Sequence, residues 1–319
     1  MSLPAEFALI ARHFRPLAGQ GALDLADDAA LLDPPPGRTL VLAADAMVAG
    51  VHFLPEDPPE TVGRKLLRVN LSDLAAMGAA PLGYLMTCHF ARGTPDSWVA
   101  GFVAGLAADQ AEFGLSVLGG DTVTTPGPAS FSLTILGSVA PGRALRRAGA
   151  RPGDDVWVSG SVGDGALGLL CLTGRLAPDA QLIDRYRLPR PRLALGQALA
   201  GLARAAMDVS DGLVQDLGHL ARAAGCGAEI AWADLPLSPP AAAALAAGRV
   251  GPERILAGGD DYELLFAADP ADAEQIRAAG AACGVAVTRI GCFKSGDGVV
   301  VRDASGAVMP LPRGGWSHL

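Results

Sequence analysis

The sequence predicts a two-domain protein in which an α+β unit is followed by a mixed α/β unit. The chain has 319 residues, enough for about two domains, and its 50% hydrophobic content can fill substantial cores. Strand-like and helical segments alternate along both halves. Gly, Arg and Pro cluster over residues 141–152, which is typical of a domain boundary. We therefore predict domains over residues 1–140 and 141–319.

The first half is predicted to form strands around two long helices. Residues 29–32 and 39–44 flank three consecutive prolines and are predicted to form a hairpin. Apolar residues recur at helical spacing over 61–78, and Gly78 ends that helix. The other predicted elements are a helix over 7–14, a strand over 82–90, a helix over 96–113, a short strand over 116–118 that ends at Gly119-Gly120-Asp121, and a long strand over 130–139.

The second half is predicted to mix strands and helices in an order typical of α/β layers. The predicted strands cover residues 155–159, 206–209, 228–232, 262–267, 285–292 and 298–302. The predicted helices cover residues 164–172, 193–203, 213–224, 239–247 and 270–282.

Acidic residues recur in six short clusters beside Gly, Ser or another Asp, where apolar runs end. For any single Asp, a turn former or helix cap is the simpler interpretation. The set as a whole favours a site for hard cations, which take oxygen ligands and allow crowded acids to stay ionised. Asp73 supports this, because an acid near the negative C-terminal end of a helix needs compensation. The clusters are Asp27-Asp28, Asp45, Asp73, Asp121, Asp208 with Asp211, and Asp260-Asp261.

Charge and cysteine content exclude several functional classes. A formal net charge of −8 gives no electrostatic footprint for nucleic acid or an anionic membrane. The 5 cysteines form no close-spaced pair, which argues against a zinc site or a disulfide framework and fits a reducing cytoplasm. The N-terminus lacks a signal pattern, and no apolar stretch approaches membrane-spanning length.

Phosphate-binding candidates are present, although a Walker-type loop is absent. The segment 160–165, Gly-Ser-Val-Gly-Asp-Gly, could offer backbone N–H groups to a phosphate, and a plain strand-to-helix turn explains it equally well. Arg143, Arg146 and Arg147 could contact phosphates or form a solvated basic turn. His52 follows the Asp45 segment, either near a ligand or as a loop histidine with a backbone partner.

Several motifs occur together in a specific order that covers nearly the whole chain. In these motifs the sequence resembles the bacterial thiamine-monophosphate kinases, within the aminoimidazole-ribonucleotide synthetase-like superfamily of ATP-using enzymes. The motifs are residues 27–32 (DDAALL), 48–53 (VAGVHF), 69–79 (VNLSDLAAMGA), 119–122 (GGDT), 147–154 (RAGARPGD), 208–213 (DVSDGL), 258–264 (GGDDYEL) and Gly315-Trp316.

The resemblance implies transfer of the γ-phosphoryl group of ATP to thiamine monophosphate, the last step towards thiamine diphosphate, with several Mg²⁺ ions. It implies that the first domain binds metal and ATP and forms a homodimer, in which its sheet joins the sheet of the dimer mate. It implies that the second domain contacts phosphate and substrate. Carried over by motif, the metal ligands are Asp28, Ala43, Ala44, Asp45, Asp73, Asp121, Asp208 and Asp211; the ATP contacts are Gly120, Asp121, Arg147 and Ser210; and the substrate contacts are His52, Asp260 and Trp316.

The chemistry of this reaction needs no catalytic side chain. The acceptor is itself a phosphate with about −1.5 to −2 charge, so no general base is required. Because repulsion between two anions is the main obstacle, metal ions in an acidic cage address it directly. We therefore predict direct in-line transfer without a phosphoenzyme and assign no catalytic residue.

The chain departs from the family pattern at three places. Ala26 replaces a usual Gly, Ala43 and Ala44 replace Ser and Thr and leave only backbone carbonyls as ligands, and Asp260 replaces a usual Glu. Two alternative functions are another ATP-dependent ligase or synthetase of the superfamily and a catalytically degenerate nucleotide-binding regulator. No Cys precedes Cys88 and the chain ends in Leu319, which disfavours selenophosphate synthetase and the hydrogenase-maturation dehydratase.

Overall fold

A computed structural model describes residues 5–311 and 314–316. The chain folds into two compact units. The first unit comprises the described residues up to Leu74 together with Ala79–Pro141, and the second comprises Ala75–Gly78 and the described residues from Gly142 onwards. Within these residues, every helix is too short or too polar to cross a membrane.

The first unit is an α+β fold with a four-stranded sheet. Its sheet order is β1-β4-β2-β3, in which β4 pairs antiparallel with both β1 and β2, and β2 pairs parallel with β3. The elements are α1 (Ala5–Leu9), β1 (Thr39–Val48), α2 (Pro59–Ala76), β2 (Ala80–Ala91), α3 (Asp96–Phe113), β3 (Val117–Thr125) and β4 (Ser130–Val139), with a π-helical turn at Ile10–Phe14 after α1.

The helices cover only one face of this sheet. Phe102 of α3 stacks on Phe131 of β4 with ring centroids 4.6 Å apart. Helices α2 and α3 approach closely because Gly105 has no side chain: a Cβ there would lie 2.0 Å from the carbonyl oxygen of Glu60. On the other face, Leu42 and Leu85 are 62% and 41% exposed. The first unit therefore presents an open apolar sheet surface.

A buried ion pair links α2 to α3. The Asp109 carboxylate, 0% exposed, accepts hydrogen bonds from Arg68 Nε at 2.7 Å and from Arg64 Nε at 2.8 Å. Glu112, whose side chain is 48% exposed, accepts from the Nη2 atoms of the same two arginines at 2.7 and 3.0 Å. The two acids share their arginine partners and differ in burial.

Replacing Asp109 by Ala should therefore destabilise the first unit far more than replacing Glu112 by Ala. Loss of the buried carboxylate leaves the buried Arg68 guanidinium with only the half-exposed Glu112 as an anionic partner, at a cost of about 3 kcal/mol, the lower end for a broken buried ion pair. Loss of the exposed Glu112 carboxylate should cost at most about 1 kcal/mol. Native-state hydrogen exchange of peptides from α2 and α3 measures both costs, and equal costs for the two variants would contradict the prediction.

The second unit has a six-stranded mixed sheet with the order β10-β7-β9-β5-β8-β6. Only β10 and β7 are parallel; the other neighbouring pairs are antiparallel. The elements are β5 (Asp155–Ser159), α4 (Asp164–Leu172), α5 (Ala180–Arg187), α6 (Leu193–Leu199), β6 (Ala203–Asp208), α7 (Leu213–Ala224), β7 (Gly227–Ala231), α8 (Pro239–Ala246), α9 (Pro252–Leu256), β8 (Leu264–Ala268), α10 (Ala273–Ala282), β9 (Val287–Lys294) and β10 (Val299–Arg302).

Two predictions about the first half were wrong. Residues 29–32 form no strand, and β1 pairs with β4 rather than with a hairpin partner. The long-range pairing is favoured over a local hairpin because β4 offers ten consecutive partner residues to β1. The strand predicted to stop at 118 continues as β3 to Thr125, because β2 supplies a neighbour along Gly119-Gly120-Asp121.

Two helices of the second unit were missed. Helix α5 begins after Asp179, whose side chain accepts from Leu182 N at 3.0 Å as an N-terminal cap. Helix α9 begins at Pro252, a residue favoured at the first helical position. Both are short, 8 and 5 residues, so their apolar periodicity is too brief to be distinctive.

Candidate functional site

Asp45 and Asp121 lie on opposite edge strands of the first unit's sheet. Asp45 is on β1, where it pairs with Leu133, and Asp121 is on β3, where it pairs with Thr87. Three strand spacings separate β1 from β3 in the order β1-β4-β2-β3, which is about 14 Å along the sheet. The first unit of a single copy therefore does not bring these two predicted metal ligands to the same ion.

The edge around β1 collects several other predicted ligands. Ala43 and Ala44 directly precede Asp45 on β1. The backbone N–H of Asp45 donates to Asn70 Oδ1 of α2 at 3.1 Å, which fixes the last turns of α2 against this edge. Asp73 lies one turn after Asn70, in the last turn of α2 as predicted.

His52 sits in a tight turn just after β1. Its Nδ1 accepts a hydrogen bond from Val48 N at 3.0 Å, and its carbonyl oxygen accepts one from Lys65 Nζ at 2.9 Å. Lys65 is only 2% exposed, so a buried cation holds the turn in place. Asp28 lies outside helices and strands, exposed, with its N–H donating to Asp27 Oδ1 at 2.9 Å.

Asp208, Ser210 and Asp211 line the turn between β6 and α7 in the second unit. Asp216 organises this turn, because its Oδ2 accepts the N–H groups of Ser210, Asp211 and Gly212, each at 3.1 Å. Burial and the charges of Asp208 and Asp211 raise the pKa of Asp216 to about 7. These carboxyl groups are thus close enough to repel one another.

Two further predicted residues meet this turn. The N–H of Asp260 donates to Ser210 O at 2.9 Å, and the N–H of Trp316 donates to Asp211 O at 2.9 Å. Trp316 is 55% exposed, and its backbone carbonyl oxygen accepts a hydrogen bond from Gln215 Nε2 at 2.7 Å. The second unit therefore brings together predicted contacts for metal, ATP and substrate from three distant segments.

A buried polar network lies beneath Asp260. The Asp261 carboxylate, 0% exposed, accepts the N–H groups of Gly163 at 2.6 Å and Gly165 at 3.0 Å. Burial raises the pKa of Asp261, whereas these two donors, which need both oxygens as acceptors, favour the ionised carboxylate. The segment 160–165 is thus the turn into α4, and its glycine N–H groups at 163 and 165 bind a side chain of the protein.

Glu263 continues this network. Its carboxylate, 0% exposed, accepts from Arg185 at 2.9 Å, from Arg192 at 2.5 Å and from Ser159 Oγ at 2.5 Å. Sequence reasoning missed Asp216 and Glu263 and gave Asp261 no role of its own within the Asp260-Asp261 cluster. The available signal for Asp216 was an acid in the first turn of a helix, where backbone N–H groups are exposed to it.

The predicted basic turn is exposed, and its side chains have different surroundings. Partial burial, together with the charges of Arg222 and Arg147, lowers the pKa of His219 on α7. The Arg143 side chain instead donates to Ala200 O at 2.5 Å. Arg147 is thus exposed and electrostatically coupled to α7, whereas Arg143 is bound to a backbone carbonyl.

The predicted acids match hard divalent cations in donor type, since they offer carboxylate oxygens. The mutual repulsion near Asp216 is the electrostatic condition that a cation relieves. In the part of the chain that the structure describes, no group of three or more His, Cys, Asp or Glu side chains is arranged to hold a metal ion. The match between these residues and a divalent cation therefore rests on their oxygen donors and their negative charge.

Neither of two surface cavities in the second unit contains a predicted site residue. One, of about 600 Å³, is lined by residues that include Asp155, Arg289 and Lys294. The other, of about 350 Å³, lies near Cys171 and Arg249.

Two family matches cover most of the chain. Residues 26–139 match AIR synthase related protein, N-terminal domain, and residues 151–304 match AIR synthase related protein, C-terminal domain. The thiamine-monophosphate kinase of Caulobacter vibrioides is 48% identical over 324 residues, which cover 99% of this chain and 91% of that protein. These matches confirm the predicted resemblance and the predicted two-domain fold.

Solved structures agree with these matches. The crystal structure of thiamine-monophosphate kinase from Stenotrophomonas maltophilia matches with a TM-score of 0.83 at 38% identity, covering 96% of this chain and 98% of that one. The structure named AaThiL complexed with AMPPCP and TMP matches with a TM-score of 0.79 at 32% identity, covering 92% and 91% of the two chains.

Proposed function

We infer the activity of this chain from the family to which it belongs, the thiamine-monophosphate kinases of the AIR synthase related group. The reaction is transfer of the γ-phosphoryl group of ATP to thiamine monophosphate, which gives thiamine diphosphate and ADP. The observation that carries this proposal is the 32% identical complex with AMPPCP, an ATP analogue, and TMP, which matches over 92% of the chain.

The second unit supports this proposal by its geometry. Ser210 and Asp211 on one turn, Asp260 on a second segment and Trp316 on a third are joined by backbone hydrogen bonds of 2.9 Å. We assign Ser210 to ATP, Asp260 to the substrate, and the exposed Trp316 ring to the cationic thiazolium or the pyrimidine face of the substrate. Arg147 contributes a planar fork suited to ATP phosphate oxygens.

In the first unit we assign His52 to the substrate and Gly120 and Asp121 to ATP. The His52 imidazole is held by Val48 N–H on its Nδ1 atom, so its ring orientation is fixed before substrate binds. Preorganisation of this kind lowers the entropic cost of positioning the acceptor phosphate.

We propose that Mg²⁺ is required. When bound, Mg²⁺ would neutralise charge on the donor and acceptor phosphates. The acceptor oxygen is already anionic, so no side chain of this protein has to remove a proton, and the transfer is direct. The residues proposed to hold Mg²⁺ are Asp28, Asp45, Asp73, Asp121, Asp208 and Asp211 by their carboxylates, and Ala43 and Ala44 by their carbonyl oxygens.

We also propose that the protein acts as a homodimer in the cytoplasm, with no nucleic-acid or membrane partner. The separation of Asp45 from Asp121 across the sheet supports a dimer, because a second copy can bring its own β3 edge to the β1 edge of the first. In a two-fold symmetric dimer this contact between β1 of one copy and β3 of the other occurs twice, so both exposed strand edges are covered. The same dimer can also cover the apolar sheet face that bears Leu42 and Leu85.

The activity is tested by incubating the purified protein with ATP, Mg²⁺ and thiamine monophosphate, and separating the thiamine species by chromatography. We expect thiamine diphosphate and ADP in equal amounts, dependent on Mg²⁺, with no diphosphate formed from unphosphorylated thiamine. Binding of ATP without formation of thiamine diphosphate would contradict the proposal and indicate a degenerate nucleotide-binding protein.

A further inference from the structure

Asp260 and Tyr262 have unusual backbone conformations. Their φ angles are +68° and +51°, in the left-handed region that L-residues other than glycine rarely adopt. They are two of five non-glycine residues with positive φ among the residues that the structure describes. Both flank Asp261, so a buried acid lies between two strained positions.

The Asp261 side chain anchors this strained segment to the start of α4. Its two carboxylate oxygens bind two different N–H groups, Oδ2 that of Gly163 and Oδ1 that of Gly165. Because the carboxylate is fully buried, water cannot replace either bond. The position of the Asp261 side chain therefore constrains the backbone of its two neighbours, Asp260 and Tyr262.

Two further contacts fix the same segment from other sides. Arg185 Nη2 donates to the carbonyl oxygen of Asp261 at 2.9 Å and to Glu263 Oε1 at 2.9 Å. The N–H of Tyr262 donates to Val209 O at 2.8 Å, next to the bond between Asp260 and Ser210. The segment is thus held between α4, α5 and the turn after β6.

Helix α4 also fits closely against Asp260 itself. A Cβ added to Gly165 would lie 2.2 Å from the carbonyl oxygen of Asp260 and 2.9 Å from its Cβ. The backbone of Asp260 therefore occupies the space that a side chain at position 165 would need.

We propose that Asp261 is a positioning residue for thiamine monophosphate: through Gly163 and Gly165 it holds Asp260 in the left-handed conformation from which Asp260 contacts the substrate. This inference rests on the proposed function for its substrate. The buried Asp261 carboxylate does not contact the substrate; it acts by fixing the backbone conformation of Asp260.

The first test uses Asp261→Asn, which keeps the size of the side chain. One carboxylate oxygen becomes an NH₂ group, which cannot accept an N–H bond and opposes the donor that it faces. We expect the KM for thiamine monophosphate to rise at least about tenfold while the KM for ATP stays within about twofold, since displacement of a contact by about 1 Å has effects of this size. An unchanged KM for thiamine monophosphate would overturn the inference.

A matched pair of variants separates positioning from loss of stability. Gly165→Ala places a methyl group 2.2 Å from Asp260 O, and Gly291→Ala on β9 places one 2.0 Å from Glu229 O of the neighbouring strand β7. The two changes impose similar steric cost within the second unit, and only the first acts on the segment that contains Asp260. We expect Gly165→Ala to raise the KM for thiamine monophosphate and Gly291→Ala to leave it unchanged; equal KM values at equal thermal midpoints would overturn the inference.

A crystal structure of Asp261→Asn gives a readout that does not depend on activity. We expect φ of Asp260 to leave the left-handed region, and retention of φ near +68° would overturn the inference. If the wild-type protein forms no thiamine diphosphate, the proposed function fails, and this crystallographic result still decides whether Asp261 holds the conformation of Asp260.

Discussion

Asp121→Asn should lower the turnover number by about two to three orders of magnitude, the usual cost of removing one group that stabilises developing charge. The substitution keeps the size of the side chain and removes its negative charge, so the residue becomes a much weaker cation ligand. Asp121 is exposed on the edge strand β3, and its Oδ1 accepts the N–H of Thr122 at 2.8 Å, a bond that an Asn side-chain oxygen can also accept.

The fold should survive this change, so the loss of activity can be separated from unfolding. Surface substitutions usually alter the free energy of unfolding by less than about 0.5 kcal/mol. Steady-state kinetics and thermal unfolding of the variant measure the two effects, and Asp33→Asn, at another exposed acid of the first unit, serves as the control. A wild-type rate for Asp121→Asn would refute its assigned role.

A heterodimer of Asp45→Asn and Asp121→Asn chains should regain activity that each homodimeric variant lacks. Because Asp45 and Asp121 lie at opposite edges of one sheet, each site would combine Asp45 of one copy with Asp121 of the other. In the heterodimer one of two sites carries both substitutions and the other carries neither. We expect about half of the wild-type turnover per dimer after purification through two different tags.

A control heterodimer distinguishes this arrangement from chance recovery. Asp45 and Asp73 lie at the same edge, since Asn70 joins β1 to the last turns of α2. A heterodimer of Asp45→Asn and Asp73→Asn chains has one substitution in each site and should remain inactive. Inactivity of the Asp45→Asn and Asp121→Asn heterodimer as well would show that each site is built within one copy.

Local sequence patterns predicted much of the fold where an element is long and its pattern is complete. The helix predicted over 96–113 has those bounds in the structure, and α2 covers most of 61–78. The hairpin at 29–44 failed because the partner of β1 is residues 130–139, far along the chain, and no local pattern specifies such a pairing.

The candidate site shows the same division between local and long-range information. The motif at 208–213 predicted roles for Asp208, Ser210 and Asp211, and the structure shows that Asp260 and Trp316 bind the backbone of this turn. The organising roles of Asp216 and Asp261 depend on which N–H groups their carboxylates meet. These roles depend on the burial of the two side chains, which cannot be read from the residue type alone.

The opposite-edge positions of Asp45 and Asp121 were also beyond sequence reasoning. The spacing of acids along the chain suggested one cage, whereas strand order determines which acids can share an ion. The homodimer remains a prediction, and the opposite-edge positions of these two acids give the reason to test it with heterodimers.

The phosphoryl group itself provides the most direct test of the proposed activity. ATP labelled with ³²P at the γ position is incubated with Mg²⁺, thiamine monophosphate and an excess of the protein, and the products and the protein are separated. The proposed direct transfer predicts that the label passes to thiamine diphosphate with no labelled protein at any time. Label recovered as inorganic phosphate beside unchanged thiamine monophosphate, or on the protein, would contradict it.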